Sequence, residues 1–121
     1  MYFGEFKNRA DVCSNFNIDA FDGVIVFAAY DVPDYEGYAD VIYINEGKFY
    51  HVSASHCSCY GLENQWTPEE MPLEALVHLA DNGFGTIRDH GAKLKEVLEV
   101  IGANVGANPD VIEVMAKLAF G

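Results

Sequence analysis

The chain has 121 residues, 50% of them hydrophobic and 13% aromatic, which is enough to bury one core and excludes a disordered tail. A formal net charge of −12, from 19 acidic against 7 basic side chains, repels phosphate and argues against direct binding to DNA or RNA. The odd count of 3 cysteines and the lack of an apolar leader in MYFGEFKNRA point to free thiols in a reducing cytoplasm, and no apolar run is long enough to cross a bilayer.

In chain order, Asn8–Phe16 is predicted as a short helix, with Val12, Cys13 and Phe16 at helical spacing and a break at Asn17 and Asp19–Gly23. Val24–Tyr30 (VIVFAAY) is an almost continuous apolar run, the pattern of a strand covered on both faces. The segment DVPDYEG, residues 31–37, reads as a turn-rich loop. Tyr38–Ile44 and Lys48–Ala54 follow as two further strands, joined by the three-residue loop Asn45-Glu46-Gly47, with Gly47 supplying a positive φ.

The period then changes. Thr67, Pro68 and Glu70 have the spacing of a capping box with proline at the first helical position, so one short helical turn is expected before Pro72. Leu73, Leu76, Val77 and Ala80 line one face of a helix that stops at Asn82-Gly83, and Leu94, Val97, Leu98 and Ile101 line another. Asn108-Pro109 opens a last helix with Val111, Ile112, Met115 and Leu118 facing inward. The expected architecture is one α+β domain over residues 1–121: a small antiparallel three-stranded sheet, a short N-terminal helix and about three C-terminal helices packed on it.

Chemistry concentrates in residues 51–66, HVSASHCSCYGLENQW. Cys57 and Cys59, with His56 or His51, could turn toward one zinc ion, but structural zinc takes four ligands, usually as two separated pairs, and no second pair stands in the chain. A cysteine hydrolase needs a base beside its thiol, and His56 and Cys57 point to opposite sides of an extended backbone. No G-x-S-x-G, P-loop or dinucleotide fingerprint is present. The third reading is a packed strand-to-helix corner, with Cys57 and Cys59 buried as small hydrophobes, Tyr60-Gly61 turning the chain and Trp66 covering the joint.

Acidic residues are unevenly placed: from Ala10 to Ile87 the only Lys or Arg is Lys48. Asp31, Asp34, Glu36 and Asp40, together with Tyr60 and Trp66 of the corner, are candidates for a surface that meets a basic protein partner, while a solvated hairpin tip is the plainer account of the same loop. Their spacing is not that of an EF-hand, which needs acids at fixed alternate positions and a glycine at the sixth, so calcium is not indicated.

The run SHCSCYGLENQWTPEE, preceded by the aromatic strand pair YADVIYINEGKFYHV, resembles a motif of small acidic proteins of tailed bacteriophages and prophages. The resemblance covers about residues 24–76 and includes Ser55, His56, Cys57, Ser58, Cys59, Tyr60, Gly61, Leu62, Glu63, Gln65, Trp66, Pro68, Glu69 and Glu70. It carries no catalytic roles. It implies a phage accessory protein in the host cytoplasm that binds and disables a host or phage protein, without a cofactor. Against it stand two other readings: a zinc-binding module at the Cys57/Cys59 corner, and a cysteine-dependent hydrolase.

Overall fold

The computed structural model describes residues 1–33, 35–57, 61–83 and 86–105 (backbone alone for 103–105), with single positions 114, 117 and 118 beyond them. Asp34, Cys59, Tyr60 and the helix expected from Asn108-Pro109 lie outside the described residues; Leu118, expected to face inward, is 85% exposed. The chain order is β1 (Tyr2–Gly4), α1 (Arg9–Phe16), β2 (Val24–Asp31), β3 (Gly37–Asn45), β4 (Lys48–His56), β5 (Glu69–Met71), α2 (Leu73–Asn82) and α3 (Thr86–Val105).

The class is α+β, but the expected three-stranded antiparallel sheet is replaced by a five-stranded mixed one in the order β1-β2-β3-β4-β5. The central meander β2-β3-β4 is antiparallel, as expected for strands joined by short loops. Two short edge strands complete it. Tyr2–Gly4 pairs parallel with β2 through Tyr2–Ala28 and Gly4–Tyr30. Glu69–Met71 pairs antiparallel with β4 through Phe49–Met71 and His51–Glu69. The helical turn expected at Pro68–Glu70 is therefore overturned. Thr67 and Met71 each precede a proline, which drives both toward extended backbone, and no helical turn fits between.

The hairpin loop is also shorter than expected. Asn45 pairs with Lys48, leaving Glu46 and Gly47 as a two-residue turn with φ of 52° and 77°. Positive φ at both central residues is the type I′ pattern, whose twist matches that of the strands.

The helices cover both faces of the sheet, making three layers. A bulge at Val26, between the pairs Ile25–Tyr43 and Phe27–Ile42, shifts the alternation of β2. Val26, Phe27 and Ala29 consequently join Ile42, Ile44 and Phe49 beneath α2 and α3, where Leu76, Leu94, Leu98 and Ile101 meet them. Ile25, Ala28 and Tyr30 join Val41, Tyr43 and Val52 on the other face, beneath Val12 and Phe16 of α1. Asn8 caps α1 by accepting the Asp11 N–H at 2.9 Å, and Asn17 closes it in the left-handed region at φ 56°.

Candidate functional site

The described part of the cysteine corner, which leaves out Cys59 and Tyr60, departs from the packed form expected of it. Cys57 is exposed, so the reading that buried it as a small hydrophobe is corrected: β4 ends at His56, and the side chain that turns inward there is the imidazole. His56 Nε2 lies 2.5 Å from the Tyr30 hydroxyl, and its Nδ1 lies 2.8 Å from the Cys57 carbonyl oxygen. A carbonyl only accepts, so Nδ1 donates to it, while Nε2 and the Tyr30 hydroxyl share the other hydrogen bond. Both nitrogens are thus engaged by partners within the protein. Among the described residues no three His, Cys, Asp or Glu side chains converge as metal ligands would.

Around this pair, burial and the carboxylates of Glu5 and Glu63 push the Tyr30 phenol above its ordinary pKa. Glu63 is held below the usual carboxylate range by its own and the Gly61 backbone N–H groups, with His56 adding attraction. Tyr30 is consequently a neutral hydrogen-bond donor at physiological pH, not an activated phenolate. Trp66 is half-buried in an aromatic box. Its ring centroid lies 5.0 Å from Phe16, 4.8 Å from Phe21 and 5.8 Å from Tyr43. Arg9 fastens that box, donating to the Gly23 and Phe21 carbonyls with its guanidinium 4.0 Å over the Phe21 ring.

The candidate acids separate into interior and surface. Asp40 is 5% exposed and cannot meet a partner: β3 turns it toward α3, where its carboxylate accepts from His51 Nε2 at 2.7 Å and from the Thr86 hydroxyl. Asp31, at the end of β2, lies 3.2 Å from His90 Nε2, and the Phe3 ring stacks on that imidazole at 4.4 Å. These contacts, missed in the sequence because they join residues up to 59 positions apart, fasten the first turns of α3 to the sheet. His51 makes no other side-chain hydrogen bond among the described residues. The Thr86 hydroxyl reaches this pair through Asp40, to which it donates, and not through the His51 ring.

An open groove of about 390 Å³ lies between the β3–β4 hairpin and α2, lined by Lys48, Phe49, Glu70, Met71, Leu73 and Glu74 among others. Among the described residues no histidine, cysteine or hydroxyl lines it.

The described residues of the β2–β3 loop from Val32 to Glu36 face outward. Val32 is 44% exposed, Tyr35 81% and Tyr38 38%, with Pro33 and Glu36 also on the surface. The Tyr38 hydroxyl donates to Glu36 at 2.9 Å, and this bond holds the phenol above its ordinary pKa. Of the expected protein-binding residues, Glu36 alone is both described and fully on the surface; Asp31 and Trp66 are half-buried. No protein-family profile, curated protein or solved structure matches the chain.

Proposed function

We propose that the protein acts by binding another, basic protein through its acidic surface, as a phage-encoded accessory factor that inhibits a host component such as a defence protein. The phage context rests on the resemblance of residues 55–70; the mode of action rests on charge. One observation carries it. Between Ala10 and Ile87, Asp19, Asp22, Glu36, Glu46, Glu63, Glu69, Glu70 and Glu74 all face solvent, and the only Lys or Arg of that span is Lys48; Asp81 is paired with Lys95 at 3.0 Å. Such a field speeds encounter with a basic surface and disfavours acidic competitors.

The test is capture from host lysate by the wild-type chain beside a Glu69→Gln, Glu70→Gln, Glu74→Gln variant. The expected result is a basic protein retained by the wild type at physiological salt, released at high salt and bound more weakly by the variant. Capture that ignores both salt and these three carboxylates counts against an acidic docking surface.

A further inference from the structure

Tyr35 is the most solvent-exposed aromatic side chain among the described residues, at 81%, and its backbone sits at φ 70°. That is the left-handed region, which glycine and asparagine tolerate and a bulky residue adopts at a cost. Among the described residues the ring makes no aromatic contact or hydrogen bond that would repay the strain. Strain without internal use is a mark of functional positions. Tyr38 projects from β3 nearby, and its hydroxyl fixes the Glu36 carboxylate at 2.9 Å. Val32 and Pro33 extend the same tip with apolar surface. The tip thus offers one phenol hydrogen-bonded to an oriented carboxylate and, at the preceding residue, a second phenol open to solvent, within a molecule of net charge −12.

Resting on the protein-binding reading above, we infer that this β2–β3 tip is its recognition element and that its occupant is an arginine-bearing basic segment of the partner. A guanidinium stacks on a tyrosine face and pairs bidentately with a carboxylate; an ammonium does the second less well and the first more weakly. Tyrosine and arginine are also the side chains that dominate interface energetics.

The probes are two labelled peptides of equal length and charge, one rich in arginine and one in lysine, titrated by fluorescence anisotropy at physiological salt. The wild type should bind the arginine peptide more tightly than the lysine peptide. Tyr35→Asn should weaken arginine binding by about tenfold. Because asparagine suits φ 70°, that variant should melt no lower than the wild type, separating recognition from folding. Glu36→Gln should reduce the preference for arginine, while Glu96→Gln, exposed on α3 and outside the acidic field, should leave it intact. Equal affinity for both peptides, or undiminished binding by Tyr35→Asn, overturns the tip as recognition element. So does a wild type that binds neither peptide. Loss of self-association in Tyr35→Asn, seen by sedimentation, reassigns the tip to a second copy of the chain and overturns the arginine assignment. If Tyr35→Asn still captures the basic host protein, the acidic-surface reading stands and the tip alone is lost; if the wild type captures none, the reading beneath it has failed.

Discussion

Gly37 lies directly across the β3–β4 register from His56, and a Cβ there would stand 2.0 Å from His56 Nε2. Both nitrogens of that imidazole are hydrogen-bonded, so the ring has nowhere to retreat without breaking the Tyr30 contact. Gly37→Ala should therefore destabilise by about 1–3 kcal/mol, the range for overpacking combined with a stranded buried hydroxyl. In a His56→Ala background the clash is gone, and the same substitution should cost much less. A double-mutant cycle by urea denaturation measures the coupling; additive effects would show that the imidazole is not what requires glycine. The residue scale also explains why the site was poorly legible. Asp40 in DVPDYEGYAD looks like one more loop acid, and only its register opposite Ala29 and Ser53, beneath Thr86, makes it an interior residue. Cys57 misled in the opposite sense: cysteine is usually buried, yet here the strand ends one residue before it.

Among the elements, the β3–β4 turn is imperfect in one respect. Glu46 occupies the first central position at φ 52°, where asparagine is the preferred residue before glycine. Glu46→Asn should raise stability by about 1 kcal/mol, read as a shift in denaturant midpoint at constant slope, whereas Gly47→Ala should lower it. Elements with strong period were legible. VIVFAAY, the 38–54 hairpin and the Leu73–Ala80 and Leu94–Ile101 stripes all became the elements their patterns describe. Tyr2–Gly4 and Glu69–Met71 were not, because a three-residue strand has too few positions to show alternation and exists only through the neighbour that pairs with it. The Thr67–Glu70 spacing imitated a capping box for the same reason: a local signal was read without the ladder that competes with it.

At the scale of the whole molecule, burial raises the phenol pKa of Tyr2, Tyr30 and Tyr43 above the ordinary 10.0. A group whose folded pKa is raised contributes stability that is complete below its unfolded value and disappears as pH climbs through the folded one. The protein should therefore hold its stability up to about pH 10 and lose it progressively above, the new phenolates adding to a charge already at −12. Tyrosinate absorbance and far-ultraviolet dichroism, followed together, should show ionisation of these tyrosines coinciding with unfolding. Ionisation at the ordinary pKa with the fold intact would contradict their burial.

The sandwich of one sheet between unlike helical layers also has a spectroscopic consequence. Trp66, the single tryptophan, reports from the layer beneath α1, while the helical dichroism comes mainly from α2 and α3 on the opposite face. The molecule thus carries a separate optical gauge for each side. Because β2, β3 and β4 send alternate side chains into both cores, neither side can melt without stripping its neighbour's floor. Fluorescence and dichroism should consequently trace superimposable unfolding curves; two midpoints would mean that the sheet survives as a half-clothed intermediate, with one helical layer shed before the other.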